Sequence, residues 1–161
     1  MLFRMDVRFI TDRSLGRLSK WMRLLGYDTV YYRGDADRTF LRKAEREGRV
    51  VLTKKRDLAG RSHPGQVILL REDRVENQIA EVLNRLSLQP DPGAMFGRCL
   101  LCNEGLETVA PEDVAGFVPD YVLRHGRDFK RCPHCGKIFW PGTHRDRALH
   151  YLRTRTPVHF P

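Results

Sequence analysis

Four cysteines form the most specific chemical pattern in the sequence. They occur as two pairs, each with two residues between its members, and 29 residues separate the pairs: Cys99 and Cys102, then Cys132 and Cys135. Each pair presents two thiolates, and two pairs supply all four ligands of a tetrahedral Zn²⁺, with no position left for water. The pattern therefore predicts a zinc ribbon in which the metal is structural.

Two other interpretations of the cysteines follow from the residues. Disulfide bonds belong to oxidising compartments, whereas residues 1–9 lack the long apolar segment and the cleavage site of a secretory signal. His134 and His144 are alternative metal ligands, but with four thiols present they are better explained as surface groups or nucleic-acid contacts. We expect zinc held by the cysteines and a cytoplasmic location.

Carboxylates form the second candidate site. Four aspartates follow segments that we predict to be strands: Asp12, Asp35, Asp37 and Asp57. Carboxylate oxygens are ligands that Mg²⁺ and Mn²⁺ prefer, and two such ions activate water and stabilise the leaving oxygen in phosphodiester hydrolysis. Aspartate is also a common N-cap residue, so each aspartate alone has a structural explanation. The set predicts either a catalytic metal site or a series of helix caps.

The elements that must position these residues alternate along the first 86 residues. Apolar runs predict strands at 7–10, 29–32, 50–53 and 66–70, and helical spacing predicts helices between and after them. This alternation predicts an α/β fold with a parallel sheet flanked by helices, whose strands present their carboxyl ends at one ligand-binding edge. We expect residues 1–90 to form this domain and residues 91–161 to form a zinc-ribbon module with a basic C-terminal tail.

The charge of the chain points to a polyanionic partner. Across 161 residues, 29 Lys and Arg outnumber 20 Asp and Glu, which gives a net charge of +9, and 23 of the cations are Arg. Arg pairs bidentately with phosphate and so favours nucleic acid as the partner, although a heat-adapted or GC-rich source produces the same bias. No apolar stretch approaches the roughly 20 residues of a spanning helix, so we expect no membrane.

Cations are placed where they can hold RNA. Four of them recur at spacings of 4, 3 and 3 along the first predicted helix, beside the acidic edge: Arg13, Arg17, Lys20 and Arg23. Such a basic stripe suits a phosphate backbone, and a solvated helix face is the alternative. Further expected RNA contacts are Lys54, Lys55, Arg145 and Arg147. Aromatic residues near the C-terminal cations suit unpaired bases, although Phe139 and Trp140 are also explained as the small core of the ribbon.

Several segments, in this order, resemble the Mut-7 C-terminal RNase-domain family. They are FITD at 9–12, LGRL at 15–18, WMRLLGYDT at 21–29, GRVVLT at 48–53, RCLLCN at 98–103 and CPHCGK at 132–137, followed by Trp140 and His144. The resemblance covers nearly the whole chain. It implies a PIN-like nuclease domain joined to a C-terminal zinc ribbon.

The resemblance also assigns site residues. It implies that Asp12 is the acid after the first strand and that Asp35 or Asp37 is the acid at the start of the second helix. Members of the family usually have Leu-Thr-Arg-Asp after the third strand, whereas this chain has Lys55 at the acidic position, with Asp57 two residues further on.

Two functions follow. One is a divalent-metal-dependent endoribonuclease in which the zinc ribbon assists RNA binding. The other is a non-catalytic RNA- or ribonucleoprotein-binding protein with a degenerate nuclease site, because Lys55 replaces an acid. In both, the expected partner is RNA, alone or within a ribonucleoprotein such as the ribosome.

Overall fold

Four parallel strands form the first sheet of the protein. In the computed structural model, which describes residues 6–160, they are β1 (Phe9–Thr11), β2 (Thr29–Tyr31), β3 (Val50–Thr53) and β4 (Val67–Leu69). Their spatial order is β2-β1-β3-β4. The register pairs Ile10 with both Val30 and Val51, so all four carboxyl ends lie along one edge. The predicted α/β fold with a parallel sheet is confirmed.

Helices connect these strands and cover both faces of the sheet. They are α1 (Gly16–Leu24), α2 (Arg38–Glu47), α3 (Arg56–Ala59) and α4 (Val75–Arg85), with a 3₁₀ turn at Arg13–Leu15 before α1. The chain leaves α1 through Gly26, whose φ of 97° is left-handed. A Cβ at Gly26 would lie 2.7 Å from the backbone oxygen of Ala94, so only glycine fits this turn.

Alternate residues of the central strands build two apolar clusters, one on each face of the sheet. Phe9 and Leu52 point to the face covered by α1 and α4, where they meet Met22 and Ile79. Ile10 and Val51 point to the other face, where they pack with Phe40 of α2 and Leu58 of α3. This period of two follows from the pleat of a strand, and it explains why near-continuous apolar runs in the sequence become strands buried on both faces.

The second part of the chain contains a small antiparallel sheet. Its elements are β5 (Glu107–Thr108), a 3₁₀ turn at Pro111–Val114, α5 (Asp120–His125), β6 (Lys130–Arg131), β7 (Ile138–Phe139) and α6 (Thr143–Arg155). Val114, Val118, Val122 and Phe129 form its apolar cluster. A cluster of four buried side chains gives a module of this size little hydrophobic stability, so a metal held by the cysteines would contribute much of it.

The segment expected to be a basic C-terminal tail is instead a packed helix. Leu152 of α6 is fully buried in the cluster that holds Met22 and Ile79. The Tyr151 ring stacks on Trp21 of α1, with 5.1 Å between ring centroids. The ribbon is therefore flanked in sequence by two segments that share one core, while the division after residue 90 stays a prediction.

In residues 6–160 no helix combines the length and the apolar character needed to cross a membrane.

Candidate functional site

The four cysteines come together as predicted. Their Sγ atoms all lie within 4.8 Å of one another, and the Cys99 and Cys135 sulfurs are 3.8 Å apart. Cys99 and Cys132 are fully buried, whereas Cys135 is exposed at the rim. This close group of four free thiols has the number and type of ligands of a structural zinc site.

The two cysteine pairs have the same local geometry. In each pair the backbone N–H of the second cysteine points at the sulfur of the first, with N to Sγ distances of 3.4 Å at Cys102 and 3.5 Å at Cys135. The next residue takes a left-handed φ, 70° at Asn103 and 73° at Gly136, and its N–H donates to the carbonyl of the first cysteine at 2.9 Å. Such turns aim backbone donors at thiolates, so the ligand set fits a Zn²⁺ ion.

The thiols differ in how readily they lose a proton. A backbone hydrogen bond at Lys137 lowers the pKa of the Cys135 thiol to about 7. Burial raises the pKa of the Cys99 and Cys102 thiols. Zinc binds thiolates, so binding must displace protons from these two thiols, and metal affinity should increase with pH.

Polar contacts attach the first cysteine pair to the parallel sheet. The Asn103 side chain accepts a hydrogen bond from the backbone N–H of Thr29 at 2.8 Å and donates to Asp28 at 2.6 Å. Asp28 also forms an ion pair with Arg49 at 2.6 Å. These residues lie at the amino ends of β2 and β3, so the cysteine group is joined to the edge of the sheet opposite the candidate carboxylate site.

Arg23 belongs to this attachment and not to the exposed basic stripe, where the sequence analysis placed it. It is only 6% exposed, and its guanidinium donates to the carbonyls of Thr29 at 2.9 Å and Leu100 at 2.8 Å. Each step of three residues falls short of a helical turn by about 60°, so Arg23 lies about 120° around α1 from Arg17. Two successive steps of three residues therefore place Arg23 on the buried side of α1.

Asp12 is the one buried member of the predicted carboxylate set. The residue is 1% exposed and lies directly after β1. One oxygen accepts hydrogen bonds from the N–H and hydroxyl of Ser14 at 2.8 and 2.5 Å, and the other accepts from the Thr53 hydroxyl at 2.6 Å. The carboxylate is therefore buried, and hydrogen bonds fix both of its oxygens, one from Ser14 and one from Thr53 of β3.

The other three aspartates lie on the surface. Asp37 caps α2 by accepting from the backbone N–H of Thr39 at 2.8 Å. Asp35 pairs with Arg13 at 3.4 Å, and Asp57 pairs with Arg61 at 3.3 Å. The side chains of Asp35 and Asp57 are 77% and 63% exposed.

The loops meet at one edge of the sheet, but their carboxylates do not form a close set. Within residues 6–160 the cysteines are the sole group of three or more His, Cys, Asp or Glu side chains near enough to share an ion. The arrangement does not fit a site for two divalent ions. Mg²⁺ commonly uses only one or two protein carboxylates, so a site for one ion at Asp12 stays a prediction. The catalytic role of the four aspartates stays a prediction.

Two lysines follow β3 and have different surroundings. Lys54 pairs with Asp73 and donates to the carbonyl of Glu72 at 3.2 Å, so it ties the loop after β3 to the loop after β4. Lys55 is exposed, and its backbone N–H donates to the Thr53 hydroxyl at 3.0 Å. That bond occupies a lone pair of Thr53 and directs the hydroxyl hydrogen towards Asp12.

The remaining predicted RNA contacts are exposed. Arg17 and Lys20 lie on the outer face of α1, Arg145 and Arg147 lie on α6, and Arg13 precedes α1. Arg17 lines a cavity of about 380 Å³ at the start of α1 and α4, together with Glu76. Glu76, which the sequence analysis missed, is 8% exposed and accepts from the Tyr151 hydroxyl at 2.7 Å. A partner 75 residues away along the chain leaves no local signal in the sequence.

Comparison with known families agrees with these features. The sequence model of the Mut7-C RNAse domain matches residues 7–152, a span that includes the parallel sheet, the cysteine group and most of α6. No curated protein and no solved structure matches the chain. A ribonuclease domain implies RNA as its substrate or partner. The protein belongs to the Mut7-C RNAse domain family.

Proposed function

We propose that the protein is a metal-dependent endoribonuclease whose hydrolytic centre is Asp12 and whose zinc ribbon assists RNA binding. The observation that carries the proposal is the buried Asp12 carboxylate at the carboxyl edge of the sheet, in a member of a ribonuclease-domain family. Buried carboxylates are rare unless paired or functional, and here the partners of Asp12 are neutral hydroxyls and an N–H.

The neighbours of Asp12 orient it for a ligand. The Ser14 and Thr53 hydroxyls each donate to one of its oxygens, which fixes the plane of the carboxylate. A carboxylate has about four lone-pair positions, so these bonds leave capacity for a cation. A divalent ion bound there would lower the pKa of a coordinated water and stabilise charge on the leaving oxygen.

Cations near this edge supply the contacts to the phosphate backbone. Arg13 directly follows Asp12, and Arg17 and Lys20 continue along the exposed face of α1. Their positive charge offsets the repulsion between an RNA strand and the aspartates. In this proposal Asp12 takes part in hydrolysis, and the basic stripe binds the phosphate backbone.

The test is cleavage of single-stranded and structured RNA with Mg²⁺ or Mn²⁺ by the native protein and by two matched variants. Asp12→Asn keeps the size of the side chain but removes its charge, and we expect it to abolish cleavage while RNA binding persists. Asp57→Asn is the control, because Asp57 is exposed and paired with Arg61, so most activity should remain. Equal loss in both variants would instead assign Asp57 as a second metal ligand.

A second candidate is an RNA-binding protein without catalysis. The exposed positions of Asp35, Asp37 and Asp57 favour it, as does Lys55 at the position where the family resemblance implies an acid. Here the discriminating variant is Lys55→Asp. If the native protein is inactive and Lys55→Asp cleaves RNA in the presence of Mg²⁺ or Mn²⁺, the site is a degenerate nuclease centre. If both bind RNA and neither cleaves it, the nuclease proposal fails and the binding protein stands.

We propose further that the protein acts in the cytoplasm and that its partner is RNA, alone or in a ribonucleoprotein. Free cysteines that bind zinc are kept reduced in that compartment.

A further inference from the structure

A cleft separates the cysteine ribbon from the end of α1 and from α6. It encloses about 440 Å³, within the usual size range of small-molecule sites. Its walls combine three aromatic rings with three cations: Phe96, Phe139 and Trp140, and Arg98, Lys130 and Arg145.

Phe96 packs against the cluster that holds Met22 and Ile79, but within the described residues the other two aromatic rings of the cleft belong to no apolar core. In β7 the two side chains point to opposite sides, so Ile138 packs on the ribbon cluster while Phe139 lines the cleft. Trp140 is 37% exposed, and among residues 6–160 neither it nor Phe139 belongs to an apolar cluster. The alternative that these two rings form the core of the ribbon is thereby excluded, and a large indole is left facing solvent.

Cations flank these rings in fixed positions. The Arg145 guanidinium carbon lies 4.8 Å from the centroid of the Phe96 ring, a cation–π arrangement that holds the planar group in place. Lys130 of β6 is directly opposite Phe139 in the small sheet. Among the described residues of the lining, the one carboxylate is Asp128, so the cleft is net positive.

We propose that this cleft binds an unpaired base of single-stranded RNA, which stacks on Trp140 while Arg145 and Lys130 hold the adjoining phosphates. The identity of the polymer rests on the proposed function. Aromatic platforms beside cations bind single strands because every base has a π face, whereas a duplex keeps its bases stacked inside. The inference thus narrows the substrate class to RNA with unpaired nucleotides.

The position of the cleft separates base binding from cleavage. Leu24, the last residue of α1, lines the cleft, whereas Asp12 precedes the start of that helix. The two sites therefore lie at opposite ends of α1. A change in the cleft should raise KM for single-stranded RNA and leave kcat unchanged.

The test measures binding by the full-length, zinc-loaded protein in buffer without Mg²⁺ or Mn²⁺, so that no cleavage is needed. The probes are a single-stranded oligoribonucleotide, an abasic strand with the same number of phosphates, and a duplex. Fluorescence of Trp140 is isolated in a Trp21→Phe background, and we expect the single strand alone to quench it. Stacking of one base corresponds to about a 5- to 150-fold difference in affinity, so we expect a loss of that order with the abasic strand.

Variants then test whether Trp140 is the platform. Trp140→Ala should weaken single-strand binding by about 5- to 150-fold and leave binding of the abasic strand unchanged, whereas Trp140→Phe should keep most of the affinity. Phe117→Ala is the matched control, because Phe117 is 75% exposed beside Arg131 but lies outside the cleft. Zinc content and circular dichroism show that each variant is folded.

Two results would overturn the inference. One is an equal loss of single-strand and abasic binding in Trp140→Ala, which would show a phosphate site only. The other is unchanged single-strand affinity in a folded Trp140→Ala protein. Base-dependent binding without cleavage in any metal would support the cleft and refute the nuclease, so the two proposals fail separately.

Discussion

The cysteines and the aspartates both lie in loops or at the start of a helix, yet only the cysteines form a close group. Each cysteine pair is a single turn in which residues three apart are joined by their own backbone, so the spacing in the sequence fixes the geometry. The aspartates follow three different strands, and their distances depend on loop paths and partners. Asp12 is buried, while Asp35 and Asp57 are drawn to Arg13 and Arg61. Residue types alone thus specify a site built from two local turns better than a site whose ligands each come from a different segment.

The largest expected effect is loss of the cysteine site. Cys132→Ser should prevent stoichiometric zinc binding and unfold the ribbon, because metal binding contributes on the order of 10 kcal/mol to small zinc sites. Metal analysis should find about one zinc per native chain and less in the variant. Hydrogen exchange should lose protection over residues 98–140 but keep it in the parallel sheet. Unchanged protection over residues 98–140 in a zinc-free protein would show that the ribbon, like the parallel sheet, folds without the metal.

The next effect concerns the link between the regions. Arg23→Ala leaves the carbonyls of Thr29 and Leu100 without a donor, so we expect the free energy of unfolding to fall by about 2–4 kcal/mol. Lys20→Ala is the control on the same helix. It is exposed and should change stability by less than about 0.5 kcal/mol. Denaturant titration of both variants measures the difference, and equal stabilities would contradict the assignment of Arg23 as an attachment.

A smaller effect is expected at acidic pH. Burial alone would raise the pKa of Asp28, but hydrogen bonds from Arg49 and Asn103 outweigh burial and lower it. A lowered pKa in the folded state means that the ionised Asp28 stabilises the fold above its unfolded pKa of about 4. This stabilisation is lost as the pH falls through the depressed value. Asp28→Asn should therefore flatten the acid side of a plot of unfolding free energy against pH, and an unchanged slope would argue against the network.

The smallest expected effect is on the salt dependence of RNA affinity, which should differ between variants of the exposed stripe and variants of Arg23. For a single strand, each phosphate contact contributes about 0.7 to the slope of log K against log salt. Replacing exposed Arg17 or Lys20 with Gln should reduce the slope by about that amount. Arg23→Gln should not reduce it, because the guanidinium is buried against backbone carbonyls. A slope that is unchanged from the native protein in all three variants would identify the stripe as a solvated helix face.

How much the sequence could predict depends on the range of the interactions. The strand and helix order of the first 86 residues follows from apolar periodicity, and the turn at Gly26 follows from its residue type. The burial of Arg23 could not be predicted, because its acceptor at Leu100 lies 77 residues further along the chain. The same reason hides the contact of Glu76 with Tyr151 and the return of α6 to the first core.

The return of α6 has a consequence for the order of folding during synthesis. Leu152 and Phe160 fill the same apolar cluster as Phe9 and Met22, so this cluster stays open until residues 143–160 have been translated. The contacts that close it have high sequence separation, which slows folding and prolongs the exposure of apolar surface. The nascent chain should therefore depend on chaperones until its last helix docks. The four cysteines all precede residue 136, so the ribbon should acquire its metal before the apolar cluster beside it is complete.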